Sequence, residues 1–222
     1  MNIKEKHIPY FEVMDSLEVN ECPICYLISD RIEKYFDTLL YEQITDFGFR
    51  KEFSKNQGFC KFHSYKFLSY NDGLAVSLTH RDLIENAINE FSTKKIKLFR
   101  KLFKIENKKT CMVCKYQNKI EKHYISVLND YLDDLELKNK FLSSEGLCIF
   151  HYRILFKMNS NLPDWFRQFH INKYKELLRQ IDKYIDSCNC TLGDKRPELN
   201  NNEKTIWKTA VKILFGKEEK NW

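Results

Sequence analysis

Turn-forming residues are scarce in this chain. Six glycines and four prolines among 222 residues leave too few turns for a sandwich or barrel of many short strands, and amphipathic runs of about 15 residues or more point to helices. Long apolar runs are lacking as well. No stretch approaches the roughly 18 apolar residues of a membrane span, and the opening Met1-Asn2-Ile3-Lys4-Glu5-Lys6-His7 holds no apolar signal region. A cytoplasmic protein without a membrane span is expected, and in that reducing setting the eight cysteines are not expected to pair as disulfides.

What the chain does have is one ligand pattern written twice. Cys22-Pro23-Ile24-Cys25 is followed by Gly58-Phe59-Cys60-Lys61-Phe62-His63, and Cys111-Met112-Val113-Cys114 by Gly146-Leu147-Cys148-Ile149-Phe150-His151. The first ligands lie 89 residues apart and the last 88, so the spacing drifts by one residue across a whole duplicated unit. Two residues at i and i+3 on a turn or helix start converge on one point, and two such pairs supply the four soft donors of a tetrahedral ion. The eight residues Cys22, Cys25, Cys60, His63, Cys111, Cys114, Cys148 and His151 are therefore candidate ligands for two Zn2+ ions per chain.

Pairing within each repeat is expected, Cys22, Cys25, Cys60 and His63 as one site and Cys111, Cys114, Cys148 and His151 as the other. The two pairs of a repeat are separated by 34 and 33 intervening residues, so these loops close most cheaply. The closure penalty grows only logarithmically, which leaves a swapped pairing open. Each closed Cys3His site holds three thiolates around a divalent ion and contributes about −1, bringing the formal charge of +6 to about +4. An iron–sulfur cluster with one histidine ligand is the alternative cofactor. Thiol-redox chemistry at the CPIC helix start is a further alternative, with no strand-like run before Cys22 to support it.

The core positions recur with the ligands. Tyr35 aligns with Tyr124, Leu39 with Leu128, Phe53 with Phe141 and Phe62 with Phe150. The fold expected is all-α: two tandem pseudo-repeat helical bundles, residues 1–105 and 106–190, each stapled by a Cys3His site. Residues 191–222 then form a linker and a C-terminal amphipathic helix that docks on one bundle, with Ile206, Trp207, Ala210, Val211, Leu214 and Phe215 on its apolar positions. In the first repeat a helix opens at Pro23, a short one runs from about Thr45 to Lys55, and a long one extends from near Gly73 through Phe103.

Several other signals are read as structural. Lys97, Lys101, Lys104 and Lys108 share a helical face, with Phe99 and Phe103 fitting that helix's core stripe, and make a solvated face. Asp130, Asp133, Asp134 and Glu136 read as a solvated helix end, and Cys188 and Cys190 as helix-end thiols. His7, His80, His123 and His170 have no ligand-spaced partner and read as core or surface histidines. His80-Arg81-Asp82-Leu83 and Asp46-Phe47-Gly48 imitate kinase motifs in reversed order, with no Gly-rich phosphate loop.

Taken with the lead-in Ile8-Pro9 and the helix start Gly73-Leu74-Ala75, these motifs resemble a bacterial family of unknown function with a CPxC, a GFCxxH and a second CxxC with GxCxxH. The resemblance covers roughly residues 8–190, departs mildly at Leu147 where the first copy has Phe59, and implies the duplicated Cys3His layout. Four-donor sites leave no position for substrate, and no nucleophile–base pair is evident. The function expected is that of a non-enzymatic zinc-binding interaction or adaptor module for a protein partner, or less strongly for nucleic acid. An iron–sulfur or thiol-redox protein is the alternative.

Overall fold

A computed structural model describes residues 5–92, 111–189, 191 and 196–216. Among them are ten α-helices and no strand: α1 (Ile8–Ser16), α2 (Pro23–Thr38), α3 (Phe47–Lys55), α4 (Lys61–Leu68), α5 (Gly73–Ser92), α6 (Met112–Asp130), α7 (Leu135–Leu142), α8 (Ile149–Met158), α9 (Asp164–Cys188) and α10 (Ile206–Phe215). A π turn at Leu39–Gln43 follows α2, and a 3-10 turn at Glu203–Thr205 precedes α10. The all-helical fold expected from the scarcity of glycine and proline is the fold observed. The basic positions Lys97, Lys101, Lys104 and Lys108, the 105/106 repeat boundary and Cys190 lie outside the described residues.

Local chemistry starts the helices at matching places in the two repeats. Asp46 caps α3 by accepting the Phe49 N–H at 2.7 Å, and Asp134 caps α7 by accepting the Leu137 N–H at 2.9 Å, each contributing about 1 kcal/mol. Asp46, the acid of the kinase-like Asp-Phe-Gly, is thus a helix cap. Asp72 accepts the Ala75 N–H at 2.9 Å and starts α5 in the same way. Pro23 stands first in α2, where its missing N–H forfeits no helical bond. Cys60 and Cys148 occupy the N-cap positions of α4 and α8, with nearly identical extended backbones at φ −65°, ψ 164° and φ −66°, ψ 158°.

Two compact units divide the described residues, and the first is not continuous in sequence. The first comprises the described residues up to Leu27 together with those from Lys122 onward, the second those of Ile28–Glu121. The boundaries fall inside α2 and α6. In the first unit Phe141 is fully buried against Phe166, Phe169 and Trp165, at ring separations of 4.9, 5.4 and 5.9 Å. Tyr10 is buried beside Tyr131 at 4.8 Å and donates to Asp134 at 2.9 Å. Asp134 also pairs with Lys6 at 3.1 Å, so part of the acidic run is engaged in the fold. The terminal helix α10 packs against α8 and α9, but of the apolar positions expected to dock only Ile206 is buried, and Trp207, Val211, Leu214 and Phe215 are exposed.

The second unit is built on Phe36. Its ring, fully buried, meets Phe59 edge-on at 5.6 Å and stacks on Phe67 at 6.0 Å, while Phe53 meets Phe59 at 4.8 Å. Burying each such ring contributes on the order of 2 to 3 kcal/mol. Helices α3 and α5 pack together over this cluster. Of the aligned pairs, Leu39 and Leu128, and Phe53 and Phe141, are buried in both copies.

Candidate metal centres

The eight candidate ligands form two clusters, and the pairing differs from the one expected. Site 1 is Cys22, Cys25, Cys148 and His151; site 2 is Cys60, His63, Cys111 and Cys114. Each CxxC pair joins the CxxH pair of the other repeat. Site 1 lies wholly within the first compact unit and site 2 wholly within the second.

Helix α2 gives the physical reason. It carries the chain from Cys25 without a break, out of the first unit and into the second, where Cys60 follows. Tight turns then replace extended chain, with the Asp46 N–H bonded to Gln43 and the Gly58 N–H to Phe53, both at 2.9 Å. The entropic preference for the tandem pairing is also small. The sites are nested: with site 2 closed, site 1 closes an effective loop of about 70 residues, and the total exceeds that of the tandem arrangement by only about 1 kcal/mol. Burying a single additional core side chain outweighs that.

Donor geometry fits one ion per site. In site 1 His151 Nδ1 lies 3.5, 3.4 and 3.2 Å from the sulfurs of Cys22, Cys25 and Cys148, and Cys25 Sγ lies 3.9 Å from Cys148 Sγ. In site 2 His63 Nδ1 lies 3.2, 3.6 and 3.3 Å from those of Cys60, Cys111 and Cys114, and Cys60 Sγ lies 3.6 Å from Cys114 Sγ. A tetrahedral zinc with ordinary bond lengths has edges of about 3.6 Å between S and N and about 3.8 Å between two S atoms. Both histidines present Nδ1 to the sulfurs. None of the seven described cysteines is in a disulfide.

Such crowding sets the donors in competition for protons. In site 1 burial pushes the Cys22 thiol up, while hydrogen bonds from Cys22 and Cys25 bring Cys148 down to about 4. In site 2 hydrogen bonds from Cys111 and Cys114 lower Cys60, and hydrogen bonding to Cys111 and Cys60 raises Cys114. Burial opposes charge on His63, but the Cys111 and Cys60 sulfurs outweigh it and lift the imidazole to about 9. A divalent cation bound among these donors would resolve the competition by replacing the shared protons.

The turns that present the ligands require glycine. Gly58 and Gly146 adopt φ +80° and +71°, and an added Cβ would stand 2.8 Å from Leu83 Cδ1 in one and 2.6 Å from Phe169 Cε1 in the other. Behind Cys148, helix α9 clamps the backbone of Leu147. His170 Nε2 accepts the Leu147 N–H at 3.0 Å, and the Tyr174 hydroxyl donates to the Leu147 carbonyl at 2.9 Å. His170 in turn donates from Nδ1 to the Phe166 carbonyl at 2.8 Å, so it acts as neutral imidazole, and burial holds it down at about 4. His80 of α5 makes the same bond to the carbonyl four residues back, Val76, at 2.9 Å.

The i, i+4 pair His170 and Tyr174 thus positions the turn that carries Cys148, a role that ligand spacing in the sequence does not reveal. Gly216 was missed as well: its backbone lies against site 1, where a Cβ would stand 2.9 Å from Cys25 Sγ. His123 is exposed, and so is Cys188.

Comparison with known proteins agrees with the repeated motifs. An uncharacterized 23.9 kDa protein in the xynA 3' region of Caldicellulosiruptor sp. (strain Rt8B.4) is 21% identical over 175 residues, covering 78% of this chain and 80% of that protein. No solved structure matches the chain. Residues 1–189 match the model of a family of unknown function, DUF6062, and the chain belongs to that family.

Proposed function

We propose that the chain is a two-zinc helical scaffold that acts as an adaptor for a protein partner. The observation that carries this reading is the pair of four-donor clusters, in each of which all four donor atoms lie within 4.8 Å of one another and the imidazole nitrogen stands 3.2 to 3.6 Å from all three sulfurs. In an iron–sulfur cluster the ligands sit on different irons and stand farther apart than the edges of one ion's tetrahedron. When bound, zinc would supply cross-linking rather than Lewis-acid chemistry, since four protein donors fill its coordination. Exposed apolar side chains at helical spacing support a binding role: Ile84, Ile88 and Phe91 on α5 are 58 to 73% exposed.

Metal analysis of protein purified without oxygen tests the cofactor. Colourless protein with two zinc ions is expected; brown protein with iron and acid-labile sulfide would transfer the reading to a redox protein. For the adaptor role, Ile84→Asp with Ile88→Asp should keep the melting temperature and abolish partner capture. Capture undiminished in that variant would remove α5 from the interaction.

A further inference from the structure

A cavity of about 500 Å3 adjoins site 1. Cys22, Cys25 and Cys148, three of the four ligands, border it on one side, and Thr209, Lys212 and Gly216 of the α10 segment border it on another. Gly216 closes α10, donating its N–H to the Lys212 carbonyl at 2.8 Å with φ +78°. A Cβ there would stand 2.9 Å from Cys25 Sγ and 3.5 Å from Cys148 Sγ, so the end of this helix lies directly over two ligand sulfurs.

Among the described residues the helix is buried at one end only. At its start Ile206 is buried, and the preceding Glu203, also buried, pairs with Lys183 at 2.8 Å. Beyond Ile206 none of its residues is buried, and Trp207, Val211, Leu214 and Phe215 are 46 to 57% exposed. Few buried contacts at the far end mean a low free energy of local opening. The segment also lies past residue 189, where the family match ends.

We propose that α10 gates site 1: its metal is loaded and released through this cavity, and α10 swings about the Glu203–Ile206 anchor to open it. The inference rests on the metal-site reading above. Opening uncovers Cys25 and Cys148 to an incoming chelator or metal carrier while leaving site 2 untouched, so one chain holds a gated ion and an ungated reference built from the same donor set.

The test is zinc release from the full-length holo-protein to a chromophoric chelator, followed by N-ethylmaleimide labelling after one equivalent has left. Ile213→Asp, which loosens α10 without touching a ligand, should speed release of one equivalent at least about tenfold, equal to ~1.4 kcal/mol of opening free energy, with label on Cys22, Cys25 and Cys148. Gly216→Val forces a β-branched side chain onto Cys25 and should speed the same equivalent. Unchanged release in both variants, or equal acceleration of both equivalents, overturns the gate. Protein that binds no zinc at all would instead overturn the metal reading.

Discussion

The crossed pairing of ligands makes a prediction that no tandem arrangement shares. Cys25→Ser removes a donor 3.9 Å from Cys148 Sγ, and Cys60→Ser removes one 3.6 Å from Cys114 Sγ. A structural zinc contributes on the order of 10 kcal/mol, comparable to the whole stability of a domain, so loss of one donor forfeits several kcal/mol. Because Cys25 and Cys148 belong to the same donor cluster, the second lesion in Cys25→Ser/Cys148→Ser should have little left to remove, and the two should be strongly non-additive. Native mass spectrometry under chelator competition should find one zinc in each single variant and still one in Cys25→Ser/Cys148→Ser. Cys25→Ser/Cys60→Ser strikes both sites and should retain none. The opposite result, one ion kept in Cys25→Ser/Cys60→Ser and none in Cys25→Ser/Cys148→Ser, would restore the tandem pairing and refute the structure.

Gly146→Ala should lower stability by about 2 kcal/mol or more, through the left-handed φ and the Phe169 contact. Gly73→Ala, with no atom within 4 Å of its Cβ, should be neutral or slightly stabilising, and thermal melts distinguish the two. His170 has a folded pKa of about 4 against an unfolded value near 6.5. It contributes stability that is full above about pH 6.5 and is lost as pH falls toward 4, up to about 3 kcal/mol in all. In His170→Phe that segment of the pH–stability curve should flatten relative to the native protein; an identical slope would contradict the neutral clamp. Cys60→Ser should lower the melting temperature far more than Cys188→Ser, whose side chain is exposed, and equal melting temperatures would sink the structural role of the metal. Replacing Lys97, Lys101, Lys104 and Lys108 with Gln should leave folding unchanged, and any nucleic-acid binding should vanish by about 200 mM salt.

Ligands and helices were legible because each rests on a local period. The i, i+3 spacing marks a turn whatever it later binds, and apolar stripes such as Ile32, Phe36 and Leu39 mark a buried face whatever covers it. The choice of partner pair was not local. Duplication gives both repeats the same donors, so coordination is satisfied by either pairing, and loop closure separates the two by only about 1 kcal/mol. Packing decided, and packing leaves no motif. His170 escaped notice for a related reason: it lies 19 residues past His151, whereas His80 lies 17 past His63, a drift absorbed in the loops before α5 and α9. Gly216 lies so near Cys25 that an added Cβ would stand 2.9 Å from its sulfur, a proximity across most of the chain that no spacing announces.

Nesting of the sites also orders their assembly. Residues 1–105 carry both ligand pairs of the first repeat but only half of each site, so the first repeat by itself completes no Cys3His centre. As the chain lengthens, Cys114 completes the inner set before His151 completes the outer one. Closing site 2 first shortens the loop that site 1 must close, from 122 intervening residues between Cys25 and Cys148 to about 70, lowering its entropic penalty by about 0.5 kcal/mol. The duplicated repeat is thereby interlocked: each of the two compact units holds one donor cluster drawn from both repeats, and the end of α10 lies beside the outer cluster.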